Sequence, residues 1–367
     1  MTRVPFLDLR RELEEMRPEI EAAIARVLTA GQLILGEEVE RFETAFAAAC
    51  GARHAVGVAS GTDAITIALQ AVGIGPGDEV ITVANTCVPT IVGIEQAGAV
   101  PVLVDPDSTT FTIDPERAEQ AITPRTRALV PVHLYGQMAD MRALVELCES
   151  RGLALVEDCA QAHGARFHGA PAGSFGHAAS FSFYPTKNLG ALGDGGAVVS
   201  SDEQVATRAR MLRTYGEQKR FVHVIRGRNS RLDALQAAVL AAKLPRLESR
   251  NERRRALARR YSEAFAETDL VLPTEASGRY HVYHLYVVRS ADRDGFRGRL
   301  EGRGVQTAVH YPLPVHLQPA YRDLGRRDAS LSVAEALATE IVSLPLYPEL
   351  TDEEVSWCIE AVLDSCR

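Results

Sequence analysis

AASFSFYPTKNLGALGDGG, residues 178–196, sets a single lysine, Lys187, between a short apolar run and a glycine-dense turn. The run Ala179-Ser180-Phe181-Ser182-Phe183 reads as a strand, and the turn extends from Gly190 to Gly196. A lysine held at a strand end near apolar walls loses hydration. Its ammonium form is then disfavoured, and the neutral amine becomes a nucleophile of the kind Schiff-base chemistry uses. Gly193, Gly195 and Gly196 are expected to allow positive backbone angles and the close approach of another chain or ligand. Taken alone, the same pattern also describes a solvated loop lysine.

Outward from this stretch, apolar runs of strand length alternate with helical stretches. The runs are Ala55–Val58, Val80–Val83, Pro101–Val104, Ala128–Val132, Leu153–Val156 and Ala197–Val199. Strands that are apolar throughout, with helices between most of them, predict a mainly parallel sheet covered on both faces, an α/β fold. Ligands of such sheets bind at the carboxyl ends of the strands. Before the sheet, an extended opening, Val4–Leu7, leads into amphipathic helices, with Val39, Phe42 and Phe46 at three- and four-residue spacing. After Leu244-Pro245 the composition shifts. The run RNERRRALARR (250–260) is basic, but its helical spacing and the neighbours Glu248, Glu252 and Glu263 describe a solvated helix face. HVYHLYVV (281–288) supplies one more strand. The expected division is a large domain over 1–245, N-terminal segment included, and a smaller C-terminal α/β domain over 246–367.

The 367 residues are 46% hydrophobic and 24% charged, enough for a substantial core. A net charge of −8 argues against a nucleic-acid surface. No stretch of about 18 residues is apolar enough for a membrane span, and the opening MTRVPFLDLRRELEEM lacks a signal peptide's apolar run. Six cysteines without paired spacing read as reduced thiols, hence the cytoplasm. Small molecules and other copies of the chain are the expected partners.

Ser60-Gly61-Thr62-Asp63 follows the first strand and opens a helical stretch. Ser60 is a good N-cap, Asp63 stands where a capping box has its acidic residue, and Gly61 leaves backbone amides unobstructed. Such a helix start is either a plain cap or a phosphate site. Asp158 should project from the carboxyl edge of the sheet. Asp158 with His163 is conceivable as a metal pair, but no further ligand cluster with metal spacing accompanies them, and no metal is expected. A carboxylate paired with a heterocyclic nitrogen accounts better for Asp158 once Lys187 is considered. A capped phosphate site, a strand-end aspartate and a strand-end lysine are together the parts of a pyridoxal phosphate site.

The chain resembles the sugar aminotransferases of the DegT/DnrJ/EryC1/StrS family, in the fold-type I group of pyridoxal phosphate enzymes. The motifs are VPFLDL (4–9), SGTDA (60–64), DEVITVANTCVPT (78–90), PVHLYGQ (131–137), VEDCAQAHGA (156–165), FSFYPTKNLGALGDGG (181–196), RNSRLDALQAAVL (228–240) and HYPLPVHLQPAY (310–321). The resemblance implies that Lys187 bonds the cofactor and carries the proton, Asp158 pairs with the ring nitrogen and Gln161 meets the ring hydroxyl. It implies further that Gly61, Thr62 and Ser182 hold the phosphate and that Asn229 reaches the phosphate of a neighbouring subunit, so that a homodimer shares its active sites. One position departs. Where the family commonly stacks an aromatic residue on the cofactor ring, this chain has Cys87, either a polarisable cover for the ring or an inert buried thiol.

Lys187 separates the chain from family dehydratases, which carry histidine there, so the resemblance implies transamination with L-glutamate as donor. The turn NLGALGDGG is similar to that of members aminating C3 of nucleotide-linked 3-keto sugars, most closely dTDP-3-keto-6-deoxyhexoses. Alternatives within the family are a C4 enzyme, one acting on a UDP-sugar or a cyclitol, and a cofactor-binding regulator without turnover. Lys219, Arg220 and Arg226 are candidates for a nucleotide diphosphate, where charge-assisted bonds are strong, and Tyr184, Tyr311 and His316 for the sugar pocket.

Overall fold

The structure is a computed structural model that describes residues 3–324 and 331–366. Seven strands form the central sheet: β1 (His54–Val58), β2 (Glu79–Val83), β3 (Val100–Val104), β4 (Thr126–Val130), β5 (Ala154–Asp158), β6 (Ala178–Ser182) and β7 (Gly196–Ser200). Their order is β1-β7-β6-β5-β4-β2-β3, and only β7 runs antiparallel to its neighbours. This is the mainly parallel sheet the apolar runs predict. Consecutive residues on a strand point to opposite faces, and here both faces are buried. Val80, Ala128 and Val56 join one core with Ile65, Ile67 and Leu69 of the helix Gly61–Ala71. Ile81 and Leu129 join the other, which holds Val39, Phe42 and Phe46 of the helix Glu37–Ala49. Phe46 meets Phe181 and Phe183 edge-on, with ring centroids 5.0 and 5.1 Å away, so the strand before Lys187 is anchored by aromatic packing.

A third core collects residues after Pro245. Leu257, Tyr261 and Phe265 of the helix Leu247–Phe265 pack against the strands β8 (Tyr286–Arg289) and β9 (Ile341–Leu344), which pair antiparallel. The N-terminal end departs from the division expected of the chain. Val4 bridges Val305 and is buried in this third core, not in the cores of the large sheet. An edge position beside Val305 and an apolar side chain are enough to draw the opening segment across. The strand expected over 281–288 is shorter, beginning at Tyr286, because Val282 N–H is spent on Gly136 O and Tyr283 N–H on His281 Nδ1.

The glycine turn after Lys187 also differs in its cause. None of Gly193, Gly195 and Gly196 has positive φ. What demands glycine is space: a Cβ on Gly196 would lie 2.4 Å from Ser60 O, and one on Gly195 2.9 Å from Leu232 Cδ1. The turn thus passes directly against the backbone that starts the helix at Gly61. Gly196→Ala must push two backbone segments apart, an overpacking that costs about 1–3 kcal/mol. Urea unfolding should show that loss as a lowered midpoint with an unchanged slope.

Candidate active site

Asp158 is the last residue of β5, and its backbone continues the sheet: its N–H donates to Pro131 O and its C=O accepts from His133 N–H. The side chain is 3% exposed. Its Oδ2 accepts from Thr90 Oγ1 at 2.9 Å, Thr90 in turn contacts Thr86 at 2.8 Å, and Oδ1 accepts from Ala160 N–H at 3.1 Å. Burial raises this carboxyl above its ordinary range, outweighing the two hydrogen bonds and the nearby Lys187.

Next to it, Glu157 points to the other face and is completely buried. Each oxygen takes two donors: His133 Nε2 and Gly173 N–H on Oε2, Phe175 and Gly176 N–H on Oε1, all at 2.9–3.0 Å. His133 Nδ1 accepts from Ala139 N–H at 3.2 Å, so the ring proton is on Nε2. Burial opposes ionisation of Glu157, but the imidazole and the glycine amides win, holding its carboxyl below the usual range. His133, Glu157 and Cys159 are close enough to suit a metal ion, but Glu157's lone pairs are already committed and the trio is a structural brace.

Lys187 follows the strand, its N–H donating to Tyr184 O. Its surroundings strip water from the ammonium and lower its pKa, with Cys87 and Asp158 opposing. A chain of hydrogen bonds crosses in front of it. Tyr135 N–H donates to Gln161 Oε1 at 2.7 Å, which orients the amide, and Gln161 Nε2 donates to Tyr311 OH at 3.2 Å. Burial pushes the neighbouring Cys87 thiol up, so it stays protonated.

At the strand's other neighbour, Ser60 caps the helix Gly61–Ala71 by accepting from Asp63 N–H at 3.1 Å. The reciprocal half of a capping box does not form, because Asp63 Oδ2 accepts from Ser230 Oγ at 2.9 Å. Among the described residues nothing takes the N–H of Gly61 or Thr62. Ser182 faces them closely: a Cβ on Gly61 would sit 2.9 Å from Ser182 Oγ. Free amides at a helix start, a hydroxyl and a glycine cradle suit a phosphate. A buried acceptor at Asp158 suits a protonated ring nitrogen, and an amine of lowered basicity suits an aldehyde, so the residues fit pyridoxal phosphate.

The chain belongs to the DegT/DnrJ/EryC1/StrS aminotransferase family. The family model matches residues 14–363, and the protein is accordingly a pyridoxal phosphate-dependent aminotransferase. It is 51% identical over 361 residues to a dTDP-3-amino-3,4,6-trideoxy-alpha-D-glucose transaminase of Streptomyces venezuelae, spanning 98% of this chain and 95% of the relative. A pleiotropic regulatory protein of Geobacillus stearothermophilus is 46% identical, with 99% of each chain covered. Among solved structures, S. venezuelae DesV in complex with a ketimine intermediate has a TM-score of 0.97 at 50% identity, over 100% of both chains.

The structure brings together Lys187, Asp158, Gln161 and Cys87 with Tyr311, which the sequence suggests for the sugar pocket, and separately Gly61, Thr62 and Ser182. Other expected residues stand apart from this cluster. Tyr184 is half exposed. Lys219 and Arg220 are exposed on the hairpin of Glu217–Lys219 and Val222–His223, with the Arg220 guanidinium over the Phe221 ring. Asn229 is exposed, bridged by its backbone to Thr214, while its neighbour Ser230 anchors the segment on Ala59 and Asp63. His316 is buried, with Nε2 on Glu335 Oε1 at 3.0 Å. Sequence reasoning missed Thr90, Tyr135 and the His133–Glu157 brace. His133 lies just past the strand β4, at the same sheet edge as Asp158, which is the signal that locates it.

Glu157→Gln places an N–H₂ group against amide donors and should cost about 3 kcal/mol in urea unfolding at neutral pH. Because the folded carboxyl lies below its unfolded value of about 4.3, its stabilisation is complete above that value and fades as pH falls through the folded one. The variant's deficit should therefore shrink in acid. Cys87→Tyr should retain the cofactor as well as or better than the native protein on dialysis, since a ring covers more area than a thiol.

Proposed function

We propose that the protein transfers the amino group of L-glutamate to the C3 carbonyl of a nucleotide-linked 3-keto-6-deoxyhexose, with a dTDP sugar as the substrate. The observation that carries this reading is a lysine of lowered basicity beside the buried Asp158 and the oriented Gln161. The substrate assignment draws on the 51% identity to the dTDP-sugar transaminase. When bound, the cofactor supplies the electron sink on which amine transfer depends. Asp158 keeps the ring nitrogen protonated, and its remaining acceptor capacity and raised basicity favour that role. Gln161 holds its N–H₂ group toward the Tyr311 and Cys87 side, where it meets the ring hydroxyl. With the cofactor in place, Lys187 would carry the proton to and from the substrate carbon. The Gly61 and Thr62 amides with Ser182 hold the phosphate.

The sugar is held by Tyr184, Tyr311 and His316. The protein works as a cytoplasmic homodimer, in which Asn229 of one copy approaches the phosphate at the other, and Lys219 and Arg220 supply charge for the nucleotide diphosphate. The exposure of all three in a single chain supports that reading. The two halves, divided near Pro245, meet at Lys187. A second reading, cofactor binding without turnover, is favoured by the regulatory name of the Geobacillus relative.

An absorbance spectrum separates the two. With turnover, glutamate bleaches the cofactor band and a 3-keto-6-deoxyhexose nucleotide restores it; an unchanged spectrum with every amino donor marks the regulator. Lys187→Ala should fold normally by circular dichroism and lose transamination by at least ~10³-fold. Near-normal turnover in that variant would remove the lysine from its role.

A further inference from the structure

Beside Thr186, next to the lysine, lies a cavity of about 330 Å³. Its walls combine apolar Phe6, Leu7, Leu344 and Leu346 with polar Arg254, His284, Gln306 and His310. Ligand cavities run from roughly 300 to 1,000 Å³, so this one suits an amino acid better than a nucleotide sugar.

Arg254 comes from the helix Leu247–Phe265 and is 6% exposed. Its Nη1 donates to Leu346 O at 2.8 Å, its one hydrogen bond among the described residues. No carboxylate of the described residues forms an ion pair with it, and Glu349 and Glu12, whose charges reach it, are bonded to Arg250. Burial pushes the guanidinium down to about 10. A planar cation with unused donors, facing a cavity with partly apolar walls, is a poor arrangement without an anion and a strong one with a carboxylate.

The tautomer of His284 is fixed by a relay that starts at a group able only to accept. Asn251 Nδ2 donates to His163 O at 2.8 Å, so Asn251 Oδ1 accepts from Asn188 Nδ2 at 2.9 Å. A second bond, from Asn188 Nδ2 to Val282 O at 3.3 Å, agrees with that orientation. Asn188 Oδ1 therefore accepts from His284 Nδ1 at 3.1 Å. The proton of His284 sits on Nδ1, and Nε2, without a partner among the described residues, offers a lone pair. Burial and the nearby Lys187 and Arg254 hold this imidazole neutral. The cavity thus presents a cation and a neutral acceptor, the complement of a carboxylate and an ammonium.

We propose that this cavity is the subsite of the amino-acid donor, with a donor carboxylate on the Arg254 guanidinium and the donor ammonium directed to His284 Nε2. The proposal rests on the aminotransferase reading with glutamate as donor. It adds that donor and sugar nucleotide are recognised by separate groups.

The test uses the cofactor-loaded protein, with glutarate, a dicarboxylate lacking the amine, as the calorimetric probe. Arg254→Gln should weaken glutarate and raise KM for glutamate by at least about 30-fold, the low end for removing one partner of a buried charge pair. KM for the keto-sugar nucleotide should stay within about twofold. Glutarate binding equally to both proteins, or the two KM values rising together, would overturn the subsite. If Arg254→Gln does not fold, the native protein decides: glutarate must bind once per chain and compete with glutamate, and absence of binding ends the proposal. A native spectrum that ignores glutamate ends the functional reading and this proposal together, whereas unselective glutarate binding ends the proposal alone.

Discussion

Glu157 is a carboxylate with no access to water, and much of the molecule is arranged to satisfy it. Its four donors come from two places: the imidazole just past β4 and the amides of Gly173, Phe175 and Gly176 on the way into β6. An ion so placed is costly unless every lone pair is used. Meeting that demand ties the ends of β4 and β5 to the start of β6. Ser180 adds a bond from its hydroxyl to Glu157 O. The neighbour of a residue held this firmly has little freedom, and that neighbour is Asp158.

The same low dielectric acts with opposite signs on the two groups in front of the brace. Loss of hydration raises the carboxyl of Asp158 and lowers the ammonium of Lys187. In both cases the neutral form gains, and the two basicities are drawn toward one another. That convergence follows from the burial of both groups. It arises from packing: Phe181 and Phe183 on the strand that leads to the lysine are locked edge-on against Phe46.

The third core matters to the site because its elements close over the lysine. Tyr311 meets Gln161, and Asn251 of the helix Leu247–Phe265 meets Asn188 next to Lys187. The lysine's own strand packs in the core of the large sheet, while some of the polar groups around it come from segments after Pro245.

The sheet was legible because buried parallel strands must be apolar along their whole length, a property of composition at each position. The helix caps at Ser60 and the lysine turn were legible for similarly local reasons. Local chemistry misjudged the glycines after Lys187, since sequence carries their identity but not whether angle or space requires it; the 2.4 Å approach of Gly196 to Ser60 is a contact between segments far apart in the chain. Sequence by itself determined which side chains could do chemistry: one lysine, one strand-end aspartate, one phosphate-ready helix start. Only the tertiary structure decided their basicity, the tautomers of His133 and His284, and the lack of an ion-pair partner for Arg254 among the described residues. Those depend on burial and on the direction of hydrogen bonds between distant segments, and neither quantity exists until the chain has closed around them.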